Sequence, residues 1–178
     1  MTALRCTAKL LKAMKATPVA DPRPAGNRLG EWTANLIRTG RVQHVLAVSE
    51  PTRMGVVIDA APYATIPIRL CDALLDALLH LGIDSRDALA EIDAMQPIQL
   101  GRTRSRSVLG TLNQFAWQIE CKAGRPGAGT AAELTRDLAR TVVLKPEHVG
   151  FPADRVREAF GLPSRGRANR GPLVPNHG

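Results

Sequence analysis

Aromatic side chains are scarce, with three Phe, two Trp and one Tyr in 178 residues. So few rings leave little for an exposed stacking platform once a core has taken its share. Cysteine is scarce as well. Cys6, Cys71 and Cys121 are odd in number, widely spaced and free of any C-x-x-C pattern. That argues against a disulfide framework or a structural zinc site and suits a reducing cytoplasm. No apolar run reaches the roughly 18 residues of a membrane-spanning helix. Lys9, Lys12 and Lys15 are not followed by an apolar signal-type segment, so secretion is not expected.

Motifs with a known mechanism are missing too. There is no H-E-x-x-H, no G-x-x-x-x-G-K-[ST], no G-x-G-x-x-G after a strand and no G-x-S-x-G. The glycine-rich run from Gly124 lacks the lysine a phosphate loop needs and reads as a linker. His44, His80, His148 and His177 have no ligand spacing, and Asp72 with Asp76 reads as a solvated helix face. No metal or cofactor is expected.

What remains is 44% apolar and 22% charged, enough for one ordinary domain with a core of its own. The net charge of +8 is unevenly spread. Residues 1–28 carry six basic and one acidic side chain, residues 29–99 five and nine, and residues 100–127 five and one. Two basic segments around an acidic middle point to a positive patch that attracts nucleic acid, phosphorylated ligands or an acidic partner. The plainer account is compositional: Arg outnumbers Lys 19 to 5, beside many Ala, Gly and Pro.

Periodicity then divides the chain. Residues 4–7 read as a short extended start, and 8–16 as a helix capped by Thr7, with Leu10, Leu11 and Met14 on its apolar face. A Pro- and Gly-rich loop follows at 18–30. Strand patterns cover 32–39, 41–49 and 54–59, joined by short turns that favour an antiparallel meander. Residues 68–81 form an amphipathic helix with Leu70, Leu74, Leu75, Leu78 and Leu79 inward. A second helix, 85–95, puts Leu89 and Ile92 inward and Asp87, Glu91 and Asp93 outward. A strand at 97–102 and helices at 106–122, 130–141 and 153–160 complete the pattern. Strands grouped and then helices grouped predict an α+β fold, an antiparallel sheet of four to five strands with helices packed against it. The expected organisation is a 1–122 domain, a helical extension at 123–162 and a disordered basic tail at 163–178.

The run Arg102-Thr103-Arg104-Ser105-Arg106-Ser107 leads into the 106–122 helix. Arginines at a helix start oppose the dipole, by a few tenths to about 1 kcal/mol each. A bound anion reverses that sign, because N–H groups, Ser hydroxyls and guanidiniums all donate to it. The alternative is an exposed basic loop with Ser105 as a plain cap. Gly110 and Asn113 share a helix face, and a mid-helix glycine points to a close approach by another segment. Arg5-Cys6-Thr7 places a thiol beside cations at a strand-to-helix junction, which can activate it, although a lone Cys is more commonly a small core residue. Trp32 reads as core, while Asn35 on the opposite strand face can line a pocket with Arg38.

Three motifs in order, Arg5-Cys6-Thr7-x-Lys9-Leu10-Leu11, Trp32-x-x-Asn35-Leu36 and Arg106-Ser107-Val108-Leu109-Gly110-x-x-Asn113, resemble an uncharacterised family of small bacterial proteins. That family is classed only as a domain of unknown function. The resemblance covers roughly residues 1–122 and implies a bacterial, cytoplasmic protein without an assigned activity. It singles out Cys6, Thr7, Lys9, Trp32, Asn35, Arg106, Ser107 and Asn113. Relatives often carry a His after the Trp; Thr33 stands there in this chain, so no role for that His transfers.

The leading expectation is a binding module for an anionic ligand, a nucleic acid or phosphate-bearing molecule. Lys9, Arg38, Arg104 and Arg106 supply charge, and Asn35, Ser107 and Asn113 directional hydrogen bonds. One alternative is a protein-interaction member of a bacterial two-gene system of the toxin–antitoxin or defence type, docking on an acidic partner. The other is an RNA-cleaving or phosphoryl-handling enzyme at the same site, for which no general base is evident. Salt-dependent ligand binding, co-purification of a partner, and turnover lost on Lys9→Ala or Arg106→Ala separate the three.

Overall fold

The computed structural model describes residues 1–123 and 129–165. Residues 124–128 of the expected linker and 166–178 of the expected tail lie outside the described residues. The described chain runs β1 (Thr2–Cys6), α1 (Ala8–Met14), β2 (Trp32–Thr39), β3 (Val42–Ser49), β4 (Gly55–Asp59), α2 (Ile66–His80), α3 (Ser85–Met95), β5 (Ile98–Arg102), α4 (Arg106–Ala123), α5 (Ala131–Ala139) and α6 (Pro152–Ala159). The fold is α+β. No described helix is long and apolar enough to cross a membrane.

Local chemistry explains most of these boundaries. Thr7 is extended and its hydroxyl accepts from the Leu10 N–H, which starts α1; Lys15 in the left-handed region ends it. Asp84 caps α3. Thr130 and Glu133 form a reciprocal capping box at the start of α5. Two helix faces differ from expectation. Leu79 of α2 is exposed. In α3 Leu89 is exposed, whereas Glu91, expected outward, is only 3% exposed. Its carboxylate accepts from the N–H groups of Arg28 (3.0 Å) and Leu29 (2.9 Å) and from Asn27 Nδ2 (2.8 Å). The 18–30 loop thus buries a charge that helical spacing assigns to water.

The five strands form one sheet in the order β4-β3-β2-β1-β5. β2, β3 and β4 make the expected antiparallel meander. The fully antiparallel sheet does not survive, because β1 runs parallel to both neighbours, with Leu4 beside Trp32 and Leu100. Both partners are reached by long connections, α1 with its loop to β2 and α2–α3 ahead of β5, which is the length parallel pairing requires. Helices also cover both faces. Leu4, Trp32, Ala34, Val45 and Val56 pack with α1, α2 and α3. Leu46, Val48 and Val57 on the other face pack with Val108, Leu112 and Phe115 of α4 and Leu134 and Leu138 of α5. Alternation along β2, β3 and β4 feeds both cores.

Candidate functional site

Where β1 ends, the chain turns into α1 beside the middle of β2. The Thr7 N–H donates to the Ala34 carbonyl (3.0 Å), and the Thr7 hydroxyl donates to Asn35 Oδ1 (2.6 Å). Asn35 Oδ1 also accepts from the Leu36 N–H (2.9 Å). A backbone N–H can only donate, so the oxygen of this amide is assigned by its network. Its Nδ2 is left to face outward as a pair of donors.

Asn35 lines a hollow of about 330 Å³ together with Lys9, Arg38 and, from α4, Asn113, Trp117 and Glu120. The α4 residues sit four and three apart, hence on one helix face. Lys9, Arg38 and Asn113 are exposed. Trp117 is 65% exposed, so one ring does stand open to solvent despite the scarcity of aromatics. The donors outnumber the single carboxylate, and an acceptor-rich guest complements such a lining.

The candidate residues from the sequence therefore divide. Lys9, Asn35, Arg38 and Asn113 come together. Arg104, Arg106 and Ser107 lie at the other end of the same stretch of α4, about 9 Å along the axis from Asn113 to Ser107 at 1.5 Å per residue. There Ser105 caps the helix, its Oγ accepting from the Val108 N–H (3.3 Å). Arg104 pairs with the buried Glu31 (3.1 Å), which also holds Arg5 (3.0 Å). Arg102 and Arg106 are exposed. Glu31 thus answers part of the arginine crowding that the sequence left unexplained.

Cys6 is buried, and burial pushes its thiol up to about 12, far from a nucleophile's range. Trp32 is core. Gly110 faces open space, so no neighbouring segment explains it.

A family model described as Domain of unknown function (DUF6933) matches residues 3–155. The chain belongs to the DUF6933 family. No curated protein and no solved structure matches it. The DUF6933 match spans β1 to the middle of α6, so the hollow and the start of α4 both lie within it. It also runs past residue 122 through α5, whose Leu134 and Leu138 share a core with β3 and β4.

Three residues at these places escaped sequence reasoning. Trp117 and Glu120 follow Asn113 at helical spacing, a signal open to anyone extending that face. Arg53, whose Nη2 donates to Ser107 Oγ (3.0 Å), had none, since its partner is far away in the chain.

Proposed function

We propose that this DUF6933 chain binds a phosphate-bearing ligand, a nucleotide or a nucleic-acid strand, in the hollow between α1, β2 and α4. The observation that carries the reading is the fixed amide of Asn35. Its oxygen is consumed by Thr7 and Leu36, so it offers only N–H groups, in a hollow that Lys9 and Arg38 also line. Phosphate oxygens accept from all three. Trp117 at the rim adds a flat face on which a base stacks.

The test is titration with a labelled single-stranded oligonucleotide at several salt concentrations. Affinity falls steeply between about 50 and 200 mM salt, and each of Lys9→Ala and Arg38→Ala flattens the log–log slope by about 0.7. Asn35→Asp keeps the oxygen that Thr7 and Leu36 need but removes the donors and adds a negative charge. It therefore abolishes binding in a protein that still folds. Affinity indifferent to salt, or unchanged in Asn35→Asp, overturns the reading.

One observation favours an enzymatic version. Glu120 places a carboxylate in the hollow, the kind of base the sequence lacked. On that version Glu120→Gln binds the oligonucleotide as tightly as the parent protein and loses any cleavage of it. Equal cleavage by both proteins rules the version out.

A further inference from the structure

Arg53, in the turn between β3 and β4, is 8% exposed and sits at φ 59, a backbone region unfavourable to any residue with a side chain. Its guanidinium makes one hydrogen bond, Nη2 to Ser107 Oγ at 3.0 Å, in the first turn of α4. Its Nε and Nη1 are fully buried and have no hydrogen-bond partner among the described residues. Buried charges are ordinarily paired, and a guanidinium has five N–H groups to satisfy. The nearby buried carboxylate is already taken, since Glu31 is held by Arg5 and Arg104. Burial pulls the Arg53 guanidinium below its usual range, and Glu50 in the same turn opposes that only in part.

The positive charge is directed at a place that is positive already. α4 is an 18-residue helix with no acidic residue in its first turn. Ser105 satisfies the Val108 N–H, but the N–H groups of Arg106 and Ser107 have no partner within the helix. Ser107 is exposed, and because its oxygen accepts from Arg53, its proton is free to point outward. Arg106 is exposed beside it. The positive end of a backbone dipole, two N–H groups without a helical partner, a hydroxyl and the buried cation bonded to it thus meet at this first turn, which holds no carboxylate of its own to balance them.

We propose that the start of α4 is a second anion site, built for a phosphoryl group. The Arg106 and Ser107 N–H groups and the Ser107 hydroxyl donate to its oxygens, and Arg53 stands behind Ser107 as its buried counter-charge. The site is separate from the hollow and does not rest on the reading of the hollow.

Inorganic phosphate is the probe, followed by site-resolved amide chemical shifts of the full chain. Phosphate moves the Arg106 and Ser107 amide resonances of the parent protein in a saturable manner, and Asn35→Asp leaves that response intact. Ser107→Ala and Arg53→Met each weaken it about tenfold or more, the usual scale for a hydrogen bond to a charged group. Arg53→Met removes the unpaired charge and keeps the buried volume, while Arg53→Lys keeps charge without the fork and retains a weakened response, which guards against a folding defect in the first variant. Arg106 and Ser107 resonances unmoved by phosphate, or moved equally in a folded Arg53→Met protein, overturn the proposal. Loss of oligonucleotide binding in Asn35→Asp with these shifts preserved separates the two sites.

Discussion

The Cys6 thiol lies under the first core at the end of β1, and the nearest group its Sγ–H can reach is the Leu4 carbonyl at 3.6 Å. Desolvation disfavours its thiolate and raises its pKa from 9.0 to about 12, whatever charge its sequence neighbours carry. Cys71 is also buried and raised, chiefly by desolvation, although the Gln96 amide beside its sulfur acts the other way. Cys121 is exposed. A thiol-reactive disulfide reagent near pH 8 therefore modifies one cysteine in the native protein and three after denaturation, and Cys121→Ser abolishes the native reaction. A native signal that survives Cys121→Ser refutes this account. The sign for stability follows from the raised folded value: Cys6 contributes fully below about pH 9, and that contribution is lost as pH climbs toward 12. The tension between activated and core cysteine is thus decided by packing, which spacing cannot express. Glu91 fails the same way. Helical spacing has no means of foreseeing that a distant loop turns its N–H groups onto this carboxylate.

At the scale of elements, α4 carries both candidate sites and an unexplained glycine. A Cβ at Gly110 meets nothing within 4 Å, so the substitution is free of clash. Gly110→Ala then stabilises the protein by about 1 kcal/mol through the helix backbone alone, read as a shift in the denaturation midpoint at constant slope. A loss of stability on this substitution contradicts the open surroundings of Gly110. Gly55 in β4 is the opposite case, because a Cβ there comes within 2.9 Å of Leu138 and 3.0 Å of Phe115. Element type and approximate bounds were legible, since apolar periodicity and caps act locally. The pairing of β1 was not. Parallel partners are chosen through long connections, and the 18–30 loop disguised a crossover as mere punctuation. Of the candidate hollow, Lys9, Asn35 and Asn113 stood in the sequence as motif positions and Arg38 as a charge on the same strand as Asn35. Their separation from Ser107 follows from the length of α4, a dimension the motif spacing already contained.

Across the whole molecule, one sheet supports two cores, and α5 joins them to its open edge. Thr135 Oγ1 of α5 accepts from the Val57 N–H of β4 (2.9 Å), supplying the edge strand with a partner it lacks in the sheet. Leu138 of the same helix packs in the second core and closes on Gly55. Because the strands that hold Leu46 and Val57 toward α5 hold Val45 and Val56 toward α2, loosening one layer strains the other. Leu138→Ala accordingly lowers global stability by about 2–5 kcal/mol, the range for a buried leucine. In a Trp117→Phe background, where emission reports the buried Trp32 of the first core, fluorescence and helical circular dichroism move to the lower midpoint together. If the Trp32 transition stays in place while part of the helical signal melts early, α4 and α5 form a layer that unfolds independently of the first core. The hollow and the start of α4, both proposed here to bind anions, would then be parts of a detachable unit, because α4 contributes to each.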